Sequence, residues 1–446
     1  MKTVITFGVF DLFHDGHARL LERARQLGDR LIVGVTTDRY ALERGKLCVV
    51  EPLEVRMENV RRNSCVDEVI VEDHPGQKAE DILRFGADVL VMGDDWLGKF
   101  DALKDLCEVV YLPRTPNISS SLLRNGRFPF LRIGLIGSGR IAGRFVQEAG
   151  YVRGIQIPCV YNPRPDSSAS LQRFLSNHTF ISKTRTLEKL YDQTDAVYIA
   201  SPHETHYAYA KSALEAGKHV LCEKPLCLRR AEAEELFALA EAKGLVLMEA
   251  IKTAYCPGFL QLCGVARSGF IGEIINVESC FTKLVPHGSR EWTDPRCGGS
   301  FTELGSYVLL PIVKLLGTEN LRVSFDSILA ENGVDLFTKV NVQGSGRMAS
   351  GRCGIGAKGE GQLTIFGTQG YILCQAPWWK TSYFEIRGED PNFRKSFSTD
   401  YAGDGLRYEI ADFLLRIQGH PGRETRLLPA ESIWMAGVME EFLKTR

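Results

Sequence analysis

Short apolar runs of strand length alternate with amphipathic segments of helix length through the first part of this chain. Runs at 3–10, 30–36, 66–71, 87–92 and 107–112 read as strands, and 17–27, 52–63 and 77–85 carry helical spacing between them. Strands alternating with helices at these lengths predict a parallel, doubly wound sheet. Gly28 stands where the first helix would take its C-cap. The stretch 125–130 contains Gly and Pro, breaks the series and marks a domain boundary. A second alternation begins at once with the apolar run Leu131–Ile136, and further strands are expected near 155–161, 195–200, 218–222 and 245–249. Beyond Pro257 extended alternating runs dominate, at 273–280, 336–342, 347–353, 362–366 and 371–374, which predicts a largely antiparallel sheet. Helical segments near 304–316 and 405–418 interrupt it, and 430–444 is amphipathic. The expected domains are 1–127, 131–250 and 251–446, with the last helix packing back on the second domain.

Composition narrows the class. A chain of 446 residues exceeds one ordinary core. Hydrophobic residues at 44% and charged residues at 24% are those of a soluble globular protein. A formal charge of −1 argues against a nucleic-acid partner, which would call for a basic footprint. No apolar run reaches membrane-spanning length and the chain starts on a strand, so a cytoplasmic protein is expected, with no membrane partner. Twelve cysteines are scattered without a C-x-x-C pair, which predicts reduced, mostly buried thiols and no zinc site.

His14-Asp15-Gly16-His17 falls between the first strand and the first helix. A helix start offers unpaired N–H groups and partial positive charge. Gly16 lets a phosphate approach the backbone closely, and two imidazoles can donate hydrogen bonds to the oxygens of a phosphorus under attack. Thr6–His17, Met92–Asp101 (MGDDWLGKFD) and Arg114–Ser121 (RTPNISSS) together resemble, in order, the cytidylyltransferase family, especially its glycerol-3-phosphate cytidylyltransferases. The resemblance implies attack by a phosphate monoester on the α-phosphorus of CTP with release of pyrophosphate. Mg²⁺ is then held mainly by the CTP phosphates, with no protein metal site. It implies that His14 and His17 stabilise the α-phosphoryl group and that Lys46, Arg114, Ser119 and Ser120 hold phosphates. Phe7, Gly8, Phe10, Asp11, Gly16, Asp94 and Trp96 would line the nucleotide site. Pro116-Asn117 replaces the family's Glu-Gly and 47–52 differs from the glycerol-phosphate enzymes, so the acceptor stays open.

Gly137-Ser138-Gly139-Arg140-Ile141-Ala142 follows the strand at 131–136 and opens a helix, the setting of a dinucleotide-binding turn. The next strand ends Asn162-Pro163-Arg164, without the carboxylate that would hold a ribose 2′-hydroxyl, whereas Arg164 can pair with a 2′-phosphate. NADP(H) is therefore expected, with NAD(H) as the alternative. Ser201–His206 (SPHETH), Glu223-Lys224-Pro225, Glu249-Ala250, Gly298–Tyr307 (GGSFTELGSY) and Phe366–Gly370 (FGTQG) resemble the glucose–fructose oxidoreductase/inositol dehydrogenase family in order. That resemblance implies a NAD(P)-binding Rossmann domain and an α+β domain with an open antiparallel sheet. One sheet face often forms a dimer interface, so a homodimer or higher homo-oligomer is expected. Cofactor contacts are implied for Gly137, Ser138, Gly139, Arg140, Ile141, Ala142, Asn162, Arg164, Ser201, His206 and Glu223, with Glu303 and His206 toward the substrate. Lys224 and Tyr307 are implied as the proton-handling pair. A tyrosine pKa near 10 would have to fall for this work, and the Lys224 ammonium is expected to lower it, although Lys224 itself stays open as the main relay.

A cytidylyltransferase fused to a carbonyl reductase suggests consecutive steps toward a CDP-activated polyol, a donor for teichoic-acid-like or capsular polymers, with a sugar or polyol phosphate as the small-molecule partner. Two alternatives remain: an adenylyltransferase–oxidoreductase fusion, and a non-catalytic NADP(H)-binding or dimerising second half.

Overall fold

The computed structural model describes residues 2–13, 15–43, 49, 51–74, 76–113, 130–163, 169–419 and 426–446. The chain forms two compact units, Met1–Phe130 and Leu131–Arg446.

The first unit is a five-stranded sheet of β1 (Thr3–Gly8), β2 (Arg30–Thr36), β3 (Glu68–Glu72), β4 (Val89–Gly93) and β5 (Glu108–Leu112), in the order β3-β2-β1-β4-β5. Every pair is parallel. Alternation along β1 sends Val4 into one apolar layer with Leu21, Leu31, Val60 and Val89, and Ile5 and Phe7 into the opposite layer with Ile32, Ile82 and Leu90. Strand order reverses between β1 and β4, and their carboxyl ends open the crevice in which sheets of this kind bind ligands.

Two expectations are corrected here. β1 ends at Gly8 rather than 10, because Phe10 and Leu12 adopt left-handed φ of 51° and 49° and break the extended run. The first helix, Asp15–Arg25, stops before Gly28. Gly28 serves a close approach instead of a cap, since a Cβ there would lie 2.5 Å from the Lys2 carbonyl oxygen. The short helix Asp38–Glu43 was not foreseen.

The second unit opens on β6 (Leu131–Ile136), β7 (Ile155–Gln156), β8 (Cys159–Tyr161), β9 (Ser182–Thr184), β10 (Ala196–Ile199), β11 (His219–Glu223) and β12 (Leu247–Ala250). Their order is β12-β11-β10-β6-β8-β9, with β7 beside β6. The one strand expected at 155–161 is two, because Pro158 offers no N–H to the ladder. An eight-stranded sheet follows: β13 (Ile274–Thr282), β14 (Arg322–Leu329), β15 (Asp335–Gly344), β16 (Arg347–Gly354), β17 (Leu363–Gly367), β18 (Tyr371–Cys374), β19 (Tyr383–Arg387) and β20 (Arg394–Ser398). It is antiparallel except where β13 runs parallel to β16. The helix Ser300–Leu316 covers this sheet, and Gly351 leaves room for Val308, 2.9 Å from where a Cβ would stand.

The two sheets of this unit are tied together. Arg407 donates to Glu148 at 2.7 and 3.0 Å, joining the helix Leu406–Ile417 to the helix Arg140–Ala149. The last helix, Pro429–Thr445, packs on Arg230–Ala242, where Glu440 accepts from the Arg230 amide at 3.0 Å. Among the described residues, eleven cysteines are unpaired and nine of them buried. No described helix is long and apolar enough to cross a membrane.

Candidate active sites

In the first unit the loop leaving β1 is held from beneath by one guanidinium. Arg56 is fully buried. It donates to the carbonyls of Val9 (2.6 Å), Thr36 (2.8 Å) and Glu51 (2.9 Å) and pairs with Asp38. Glu51 completes the brace: its amide donates to Asp11 Oδ1 at 2.9 Å and its carboxylate accepts from the Leu12 amide at 3.0 Å. This support over-determines two left-handed residues that cost about 1–3 kcal/mol each. Removing the guanidinium would take one charge-assisted hydrogen bond from each of three carbonyls, at about 1.5–3 kcal/mol apiece.

His17 lies in the first turn of its helix, its ring centroid 5.3 Å from that of Phe10 and 5.6 Å from that of Phe13. The aromatic contacts fix the imidazole at the crevice, and the strained loop positions Phe10. Asp94 and Trp96 occupy a 3-10 turn directly after β4, across the same strand-order reversal. Lys99 lies 4.9 Å over the Trp96 ring. Phe7 points into the opposite apolar layer, with the Lys78 ammonium 4.6 Å from its ring and paired to buried Glu72. His14, Lys46, Arg114, Ser119 and Ser120 lie outside the described residues.

In the second unit a cavity of about 1190 Å³ opens between the parallel sheet and the mixed sheet. On one wall Gly137 turns at φ 105°, and a Cβ there would lie 2.5 Å from the Ala200 carbonyl oxygen. Gly139 faces open space at the start of the helix Arg140–Ala149, and buried Ala142 lets that helix pack on the sheet. This glycine turn fits the pyrophosphate of a dinucleotide. Asn162 donates to Ser138 Oγ at 2.7 Å, and no carboxylate takes the place of Asn162 at the end of β8. Arg164 lies outside the described residues.

Across the cavity floor, Lys224 leaves the end of β11 and donates from Nζ to the Glu303 carbonyl at 2.8 Å. The Glu303 carboxylate gathers Lys224 (3.8 Å), Arg290 (3.5 Å) and His203 (3.6 Å). Burial, then the Lys224 charge, holds His203 well below its ordinary pKa, so it faces Glu303 as a neutral ring. Tyr307, one helical turn beyond Glu303, places its ring 5.8 Å from Lys224 Nζ and 5.1 Å from the Phe281 centroid. The phenol departs from expectation. Burial, then Glu223 and Glu409, raises its pKa well above 10, and Lys224, engaged by Glu303, does not reverse this. His206 is fully buried, with Nδ1 2.8 Å from the Pro225 carbonyl and Nε2 2.9 Å from that of Ser201. It fastens the turns carrying Ser201 and Lys224. Glu223 accepts from Tyr198 Oη at 2.5 Å.

Comparison with known proteins agrees with both geometries. The cytidylyltransferase-like family matches residues 5–126. Over 126 residues the chain is 52% identical to glycerol-3-phosphate cytidylyltransferase of Bacillus subtilis, an alignment covering 28% of this chain and 95% of that enzyme. The oxidoreductase family with NAD-binding Rossmann fold matches residues 131–251. Trans-1,2-dihydrobenzene-1,2-diol dehydrogenase of Bos taurus is 29% identical over 325 residues, 70% of this chain and 96% of that protein. The first unit belongs to the cytidylyltransferase family, and the second matches the oxidoreductase family over its Rossmann part. KijD10, a 3-ketoreductase from Actinomadura kijaniata, shares the fold of the second unit at a TM-score of 0.59 and 24% identity, over 70% of this chain and 96% of that one.

The cytidylyltransferase unit therefore carries Gly8, Phe10, Asp11, Gly16, Asp94 and Trp96 at and just past the β1 and β4 ends, whereas Phe7, expected to line the nucleotide site, packs into the apolar layer instead. The oxidoreductase unit brings Lys224, Glu303 and Tyr307 to one cavity with the glycine turn. Sequence reasoning missed Arg56, although it stands on the apolar face of its helix with Leu53, Met57 and Val60, where an arginine signals a buried partner. It also missed Glu409, which lines the cavity fully buried, with no hydrogen-bond partner for either carboxylate oxygen among the described residues. Burial, then Glu223, raises its pKa well above the carboxylate range. A glutamate neutral when folded but ionised when unfolded above its ordinary pKa weakens the fold progressively as pH rises past that value. Glu409→Gln should therefore melt higher than the parent, by a margin that widens from pH 5 to pH 8 in thermal denaturation. An equal margin at both pH values would show a charged, satisfied Glu409.

Proposed function

We propose that the chain makes a CDP-activated polyol, reducing a sugar carbonyl in the oxidoreductase unit and coupling a phosphate monoester to CMP in the cytidylyltransferase unit. The observation that carries this reading is the pairing, on one chain, of a unit 52% identical to a glycerol-3-phosphate cytidylyltransferase with a unit whose cavity brings Lys224, Glu303 and Tyr307 beside a dinucleotide turn. CTP enters as its Mg²⁺ complex. A phosphate oxygen of the acceptor bonds to the α-phosphorus while the α–β bond breaks and pyrophosphate leaves. His17, at the helix start, donates to the crowded α-phosphoryl oxygens, with His14 as its partner in the motif. Lys46, Arg114, Ser119 and Ser120 take the phosphates.

In the second unit the Gly137–Gly139 turn would hold the pyrophosphate of NADPH, which when bound would supply the hydride for the carbonyl carbon. Tyr307, held protonated, supplies the proton to the oxygen, and Lys224, anchored on Glu303, places positive charge beside the developing alkoxide. NADP(H) is favoured by Asn162 standing where a carboxylate would repel a 2′-phosphate, with Arg164 near it in sequence. The acceptor is a polyol phosphate, glycerol 3-phosphate being the one named for the relative. The product suits polymer synthesis of the teichoic or capsular kind.

Incubation with CTP, Mg²⁺ and NADPH against glycerol 3-phosphate and a panel of ketose and aldose phosphates tests the reading, with mass spectrometry following CDP adducts and a two-hydrogen gain. A CDP-polyol formed from an unreduced sugar phosphate is expected. CTP consumption with glycerol 3-phosphate alone, with no sugar reduced, would overturn the coupled activity. ATP in place of CTP distinguishes an adenylyltransferase.

A further inference from the structure

The cavity of the oxidoreductase unit exceeds the roughly 300–1,000 Å³ of an ordinary small-ligand cleft and has unlike walls. The parallel-sheet wall holds the glycine turn. The mixed-sheet wall begins at Tyr307 and continues through Phe281, which stacks on Trp379 with centroids 3.7 Å apart and planes 5° from parallel. Two residues beyond Phe281, just past the end of β13, comes Lys283. Period-two alternation gives both residues the same side of the strand, about 7 Å apart. Beside it, Lys358 Nζ donates to the Thr282 carbonyl at 3.2 Å, and Gly359 donates to Thr282 Oγ1 at 2.9 Å, so its loop is clamped to the strand end.

Both ammoniums line the cavity, and among the described residues neither has a carboxylate at ion-pair distance. Of the acids nearest Lys283, Glu303 is already shared by Lys224, Arg290 and His203, which leaves Glu291. Partial burial and Arg140 on the facing wall both disfavour the Lys283 charge. Two ammoniums without an ion-paired carboxylate, on the wall that carries Tyr307 and Phe281, suit an anionic group on a ligand lying along that wall.

On the reading that this unit reduces a sugar carbonyl, we propose that Lys283 and Lys358 bind a phosphoryl group on that substrate, while its carbonyl end lies against Lys224 and Tyr307. The substrate class is then a phosphorylated ketose or aldose, reduced while it carries its phosphate. A free phosphate monoester and a CDP-linked sugar both present this chemistry.

The test uses the full chain and the Lys283→Ala/Lys358→Ala variant. Initial rates of NADPH oxidation are measured with a ketopentose phosphate, its CDP-linked form and the dephosphorylated sugar, and NADPH dissociation constants by fluorescence titration. The ratio of kcat/KM for phosphorylated over free sugar should fall by about 100-fold in the variant, through KM, as expected for two lost charge-assisted bonds. The NADPH dissociation constant should move less than twofold. Preference of the parent for monoester or CDP-linked sugar identifies which source supplies the phosphate. An unchanged ratio, or a weakening of NADPH binding that matches the loss in rate, would overturn the assignment. If the parent reduces no sugar, the activity reading fails separately. Calorimetry with the ketopentose phosphate then decides the lysines, which must be shown to bind it in the parent and lose it in the variant.

Discussion

His17→Ala lowers the turnover of cytidylyl transfer by about 10²–10³-fold, the usual cost of deleting one donor aimed at charge that develops in a transition state. The imidazole is held by the Phe10 and Phe13 rings at the first turn of the helix Asp15–Arg25, where the helix start adds its own positive end. If His17 donates to charge that develops only in the transition state, the loss should fall on kcat more than on the KM for CTP. Pyrophosphate release, measured against CTP concentration, reads the split. A rise in KM with kcat retained would make His17 a ground-state contact only.

Tyr307→Phe should reduce the turnover of carbonyl reduction by about 10²–10⁴-fold, the range of a positioned general acid. The pH profile adds a second readout. Burial, then Glu223 and Glu409, raises the phenol's pKa, and a raised pKa keeps the acid form populated to higher pH. Turnover in the parent should therefore show no alkaline loss from this group up to about pH 9, below the ordinary tyrosine value near 10. A parent whose turnover falls between pH 7 and pH 8 would point to a different donor. Lys224→Met separates the roles: if Lys224 supplies charge and Tyr307 the proton, both variants lose turnover, and only Lys224→Met loses affinity for an oxyanion-like inhibitor.

Much of this is legible in the sequence. Strands alternating with helices announced the parallel sheets, and glycine spacing placed the dinucleotide turn. The unread parts have two causes: weak apolar patterning in some strands, and partners far away in sequence for some side chains. β14, β19 and β20 mix polar and apolar residues too evenly to announce themselves, and each is fixed by antiparallel pairing with the strand next to it in sequence, β14 and β20 forming the sheet edges. Arg56 draws its meaning from carbonyls at positions 9, 36 and 51. The direction of the Tyr307 shift could not be read from Lys224 alone, since Glu409 approaches from a helix about a hundred residues downstream.

The torsions at Phe10 and Leu12 have an engineering consequence. Glycine at 12 would relax a disfavoured rotation about the backbone, yet it would also free a segment whose stiffness holds an aromatic ring against His17. Heat tolerance and turnover thus compete at one short bend, and selections for robustness alone would tend to blunt the catalyst there.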